Sequence, residues 1–128
     1  MKDNPTVLVI EDEAHIRMAL EYNLKMDGFE VFTAENGAKG LQMAGTVLPD
    51  LILCDWMMPE MNGLEVLSHL KQDPVTKNIP VFMLTAKGMS GDMEQALARG
   101  ANDYLTKPFD PMKLGAILRE KLAAVVTD

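Results

Sequence analysis

Short apolar runs alternate along this chain with longer stretches whose apolar positions recur every three or four residues. The short runs predict five strands, at residues 6–10, 30–33, 51–54, 81–84 and 101–105. The first, third and fourth are apolar throughout, as strands covered on both faces are, whereas the second and fifth alternate and suit the edges of a sheet. Between them, Ile16, Leu20 and Leu24 recur at i, i+4 and i+8. Leu114, Ile117, Leu118, Leu122 and Val125 mark a last helix with one apolar stripe. Asp110 followed by Pro111 is a good helix start, because Asp caps free N–H groups and Pro tolerates the first helical position. Gly28, Gly37, Gly63 and Gly100 fall where turns or helix ends are needed. A short helix is expected over residues 93–99. The glycine-containing segment 87–92 ahead of it is the candidate mobile part. Strand and helix alternating throughout read as an α/β fold, one doubly wound sandwich over residues 1–128.

The chain has 128 residues, enough for one packed domain at 48% hydrophobic content. A net charge of -7 with no Lys/Arg run argues against direct binding to nucleic acid or an anionic membrane and favours a cation or a basic partner. The start of the chain has no apolar signal segment and no run long enough to span a bilayer, so a cytoplasmic location is expected. Cys54 is the single cysteine, so no internal disulfide forms, and within an apolar run it reads as a small buried hydrophobe. His15 and His69 lie among polar neighbours without ligand spacing and read as surface residues.

The chemistry sits at the ends of the apolar runs. Glu11, Asp12 and Glu13 follow the first, Asp55 the third, Thr85 the fourth and Lys107 the fifth. In an open parallel sheet, ligands bind just beyond the carboxyl ends of the strands, so these residues converge. Each alone has an ordinary explanation: acids at a helix N-terminus, a Thr at a strand end, a Lys in a turn. Carboxylates gathered at one point raise one another's pKa, and a divalent cation resolves the conflict. Mg2+ (or Mn2+) suits the donor set, being hard, oxygen-seeking and held by one or two carboxylates plus phosphate. An Asp beside that ion can be a nucleophile toward phosphorus, while Thr85 offers a hydroxyl donor and Lys107 a positive charge for phosphoryl oxygens.

Five motifs in order, namely Glu11-Asp12, Asp55-Trp56-Met57-Met58-Pro59, Asn62-Gly63, Thr85-Ala86 and Lys107-Pro108, make the chain similar over essentially its whole length to the response regulator receiver domains of bacterial two-component systems, especially the chemotaxis-type receivers. The resemblance implies a flavodoxin-like fold, five parallel strands in order 2-1-3-4-5 with five helices. It implies Asp55 as phosphoacceptor, and Asp12, Asp55, Glu11 (mainly through metal-bound water) and the carbonyl of Met57 at the metal. Thr85, with Ala86 beside it, resembles the switch hydroxyl. Lys107 resembles the phosphate-contacting lysine and Tyr104 the switch aromatic, with a cis peptide between Lys107 and Pro108. Implied partners are a sensor histidine kinase or histidine phosphotransfer protein, and a downstream effector or missing output domain. The output face is helix 4, strand 5 and helix 5. Dimerisation on phosphorylation through the last strand and helix stays open, without a sequence signal.

Without the resemblance, Tyr104 reads as an edge-strand aromatic and Trp56 as a partly exposed indole that could also report on the site. Met57 and Lys87 depart from the chemotaxis pattern, where an amide and an acid stand. Met57 cannot hold a hydrolytic water by hydrogen bonds, which implies slow self-dephosphorylation. The chain is expected to be a signalling domain rather than an enzyme on a separate substrate. A haloacid-dehalogenase-type phosphatase would need an Asp where Met57 stands, and a flavodoxin-like carrier a hydroxyl-rich loop where Glu11-Asp12-Glu13 would repel FMN phosphate. A third alternative is an interaction module that has kept an unused site.

Overall fold

Three strands in the middle of the sheet are apolar except at Thr6, Asp55 and Thr85, because both of their faces are covered. In the computed structural model, which describes residues 4–86, 90–107 and 110–126, the elements run β1 (Thr6–Ile10), α1 (Ala14–Met26), β2 (Glu30–Ala34), α2 (Gly37–Val47), β3 (Leu51–Asp55), α3 (Gly63–Gln72), β4 (Val81–Ala86), α4 (Ser90–Ala98), β5 (Asp103–Lys107) and α5 (Pro111–Val126). The five strands form one parallel sheet in the order β2-β1-β3-β4-β5, with the two alternating strands at its edges.

Successive side chains of a strand face opposite ways, and here they feed two cores. Val7, Val9, Leu51, Leu53, Phe82 and Leu84 pack with Leu20 and Leu24 of α1 and Leu114, Leu118 and Leu122 of α5. Leu8, Ile10, Ile52, Cys54 and Met83 face the other way, onto Ala44 of α2, Val66, Leu67 and Leu70 of α3 and Ala96 of α4. Fully burying one leucine or isoleucine is worth about 1.5–3 kcal/mol, so these two layers are what holds the helices against the sheet. Cys54 is fully buried, as its neighbours in the sequence indicate, and burial pushes its thiol up from the ordinary value.

Helix starts follow local chemistry. At α3 the Asn62 side chain accepts from the Glu65 N–H (3.0 Å) while the Glu65 carboxylate accepts from the Asn62 N–H (3.3 Å), a reciprocal cap. Asn36 caps α2 by accepting from Lys39 N–H at 2.8 Å. The Asp110 carboxylate accepts from Met112 N–H at 2.9 Å, the capping its position before Pro111 calls for.

β2, β3 and β4 run one or two residues beyond the sequence reading, to Ala34, Asp55 and Ala86, and two elements shift further. The last strand spans Asp103–Lys107 rather than 101–105. Gly100, at φ 107°, turns the chain out of α4, and the Asn102 side chain accepts from Val81 N–H while its own N–H donates to the Val81 carbonyl, so residues 101–102 are a turn docked on β4. α4 begins at Ser90 and ends at Ala98, so residues 90–92 are helical rather than an approach loop. One glycine costs a helix about 1 kcal/mol against alanine, and the docking of the buried Ala96 overrides it. Residues 87–89, the rest of that segment, lie outside the described residues. Among the described residues, no helix is long and apolar enough to cross a membrane.

Candidate phosphoryl-acceptor and metal site

Asp55, Thr85 and Lys107 lie within the last residues of their strands, whereas Glu11 and Asp12 follow the end of β1. Asp55 is the last residue of β3, in register with Leu84, while Thr85 pairs with Thr106 and Ala86 with Lys107 across β4 and β5. The sheet ladder therefore fixes their backbones. Glu11 extends β1 by one bond, its N–H donating to Ala34 O at 3.1 Å.

One carboxylate oxygen from each of Glu11, Asp12 and Asp55 lies within 4.8 Å of the others. Glu11 is fully buried, and Asp55 and Thr85 nearly so. The Lys107 ammonium bridges the group, 3.0 Å from Asp55 Oδ1 and 3.1 Å from Glu11 Oε1. Its long stem covers the gap from β5, a strand removed from β3 in the sheet, as the strand order requires. The Glu11 carboxyl is pushed up to about 7 by burial first, then by a hydrogen bond and the charge of Asp55, against the pull of the Glu13 amide and Lys107. Burial works to lower the Lys107 ammonium, but hydrogen bonds and charge from Asp55 and Glu11 outweigh it and hold it above its ordinary value.

Two buried oxygens, Asp12 Oδ1 and Thr85 Oγ1, have no hydrogen-bond partner among the described residues. An unpaired buried carboxylate oxygen is costly, and a hard cation is the group that satisfies it together with two further carboxylates. The donor set is all oxygen, so Mg2+ or Mn2+ fits the site.

Gly63 sets how closely α3 approaches. Its N–H donates to Trp56 O at 2.8 Å, and a Cβ there would lie 2.3 Å from the Asp55 carbonyl oxygen and 2.9 Å from Trp56 Cα. Trp56 is 7% exposed, part of the core beside Ile52 and Met83, which corrects the partly exposed reading. Its N–H donates to Leu84 O, so the residue continues the β3–β4 ladder and turns its indole inward. Met57, by contrast, is 64% exposed. Tyr104 is half-buried against the core that contains Met83. His15 and His69 are exposed. Lys87 and Pro108, and with Pro108 the peptide read as cis, lie outside the described residues.

Arg17 was not singled out from the sequence. Its guanidinium donates from Nη1 to the carbonyl oxygens of Glu11 (2.8 Å) and Asp12 (3.3 Å). The available signal was an arginine in the first turn of a helix, where the helix dipole disfavours a cation.

Comparison with known proteins agrees with this geometry. The family model described as the response regulator receiver domain matches residues 7–119. The chain belongs to the receiver domain family. Among curated relatives it is 44% identical over 117 residues, 91% of this chain and 51% of the relative, to the phosphate regulon transcriptional regulatory protein PhoB of Pseudomonas aeruginosa. It is 47% identical to the response regulator PleD of Caulobacter vibrioides, over 88% of this chain and 25% of PleD. The chain thus spans about half the length of PhoB and a quarter of PleD. A solved putative response regulator from Chloroflexus aurantiacus superposes with TM-score 0.87 at 36% identity, covering 94% of this chain and 98% of that one. Chemotaxis protein CheY4 of Vibrio cholerae gives 0.85 at 32%, covering 91% and 98%. This receiver is therefore a signalling domain of two-component systems, whose general function is to accept a phosphoryl group, and its acidic cluster is a place where such a domain binds Mg2+.

Proposed function

We propose that this receiver, acting as one unit over residues 1–128, takes a phosphoryl group from a phosphohistidine of a sensor histidine kinase or phosphotransfer protein onto Asp55. The observation that carries the reading is the juxtaposition at Asp55: two further carboxylates within 4.8 Å and the Lys107 ammonium at 3.0 Å. An Asp55 carboxylate oxygen attacks phosphorus, the P–N bond breaks, and the imidazole leaves with the electron pair and is protonated by solvent. Because the transition state is loose, the protein's part is positioning and charge compensation. Mg2+ or Mn2+, held by Asp12, Asp55, the Met57 carbonyl and Glu11, would neutralise charge developing on the phosphoryl oxygens. Lys107, freed from Asp55 Oδ1, follows the charge onto the phosphate, and the unpaired Thr85 hydroxyl beside Ala86 donates to it.

Phosphorylation adds about -1.5 to -2 charges with strong acceptor oxygens. Drawing in Thr85 leaves room for Tyr104, and the α4, β5 and α5 face changes its preferred partner, a downstream effector or an output domain. The charge of -7 speaks against nucleic acid as a direct partner of this domain. The reaction is self-catalysed, and hydrolysis of the acylphosphate resets Asp55. Exposed Met57 offers no hydrogen bond to an attacking water, which makes that reset slow. A cytoplasmic setting, read from the sequence, is part of the proposal.

Intact mass after incubation with Mg2+ and a small phosphodonor tests it. The chain should gain about 80 Da as one phosphoryl group, and Asp55→Asn should gain nothing. No gain in the unmodified chain, or a gain that survives the substitution, overturns the reading.

A further inference from the structure

The turn that carries Glu11 and Asp12 has little to hold it. After the bond from Glu11 N–H to Ala34 O, the β1 ladder ends, and α1 begins only at Ala14. Glu13, the N-cap of α1, makes no side-chain capping bond among the described residues. Its N–H is turned toward Glu11 Oε2 at 3.2 Å. Glu11 is held by Lys107 and the Glu13 N–H, whereas Asp12 Oδ1 has no hydrogen-bond partner among the described residues, so the aim of the pair depends on what fixes the peptide units beneath them.

Arg17 does this. Its N–H donates to Glu13 O at 2.9 Å, which places the residue in the first turn of α1. Side chains on a helix point back toward its N-terminus, so the guanidinium lies over the turn and reaches the carbonyls of Glu11 and Asp12 from one nitrogen. A cation at that end of a helix opposes the helix dipole, so helix stability is no reason for it. The same side chain is close enough to the β2–α2 loop to help lower the Glu35 carboxyl, after the larger effect of Lys39.

We propose that Arg17 is a positioning residue for the divalent cation: by gripping the carbonyl oxygens of Glu11 and Asp12 it aims both carboxylates at Asp55. The inference rests on the metal reading of that site. A planar guanidinium presents paired donors in fixed geometry, whereas an ammonium is a point charge on a flexible stem. Lysine should therefore replace it only in part.

Calorimetric titration of the full chain with Mg2+, alongside melting in chelator, provides the test. Groups that orient metal ligands typically account for 10–100-fold in affinity, so Arg17→Met should weaken Mg2+ binding about tenfold and Arg17→Lys about threefold. The Mg2+ concentration for half-maximal phosphorylation should rise by the same factors. Arg17→Lys carries the test alone where Arg17→Met does not fold. A dissociation constant within about twofold of the unmodified chain in a folded variant overturns the proposal, even where its melting temperature falls, because Arg17 is then only a staple of the loop. An unmodified chain that binds no Mg2+ overturns the metal reading itself and this inference with it.

Discussion

Glu11 and Asp55 share a buried place with one lysine between them, and the resulting crowding is measurable. The folded chain holds the Glu11 proton up to about pH 7 against an ordinary 4.5. The folded state therefore binds more protons than the unfolded state between those values, and this contribution to stability is lost as pH rises through 7. The loss amounts to about 3 kcal/mol at most. In chelator the melting temperature should fall between about pH 5 and pH 7 and level off above, and the slope should flatten in Glu11→Gln; equal slopes would rule out Glu11 as the source. Asp55→Asn removes a charge from the same place, so it should melt above the unmodified chain in chelator at pH 8, yet gain nothing from Mg2+. Met57→Asn supplies the amide that can hold a water, and should shorten the life of the phosphorylated form, followed by loss of the mass adduct. Glu11, Asp12, Asp55, Thr85 and Lys107 were legible in the sequence because each ends an apolar run. Arg17 was not, because its role passes through backbone carbonyls, which leave no pattern in residue types. Trp56 was misread because a residue after an acidic strand end looks like loop, while its N–H keeps it in the ladder.

The β3–α3 connection shows what a small residue does for a larger unit. With a Cβ at Gly63 set against backbone atoms of Asp55 and Trp56, neither neighbour can rotate away, and α3 must lift. Overpacking of this kind costs about 1–3 kcal/mol. Gly63→Ala should show that loss in urea unfolding and should also slow phosphorylation, since the strained atom is Asp55's own carbonyl. A variant with unchanged stability would mean that the helix adjusts freely. The sequence indicated a turn or helix end at Gly63 but not this contact, which depends on the distance between elements. The same limit explains β5. Alternation from Ala101 onward looked like strand, and only the docking of Asn102 on Val81 shows that the first two residues are a turn.

Across the molecule, the division into three central and two edge strands was legible because buried and alternating strands differ in composition, while the full order followed only from the family resemblance. β1, β3 and β4 are covered on both faces and flanked on both sides, so their amides should exchange with solvent most slowly, and those of β2 and β5 sooner. Hydrogen exchange followed strand by strand checks this; edge amides as slow as central ones would contradict it. Glu11, Asp55 and Thr85 all hang from the slow unit, whereas Lys107 hangs from the edge. That lysine's ammonium already pairs with two acids of the cluster. A divalent ion arriving there would meet acids already half-answered by a tethered ammonium, so the affinity measured for it would report a competition with that side chain as well as the pull of the carboxylates.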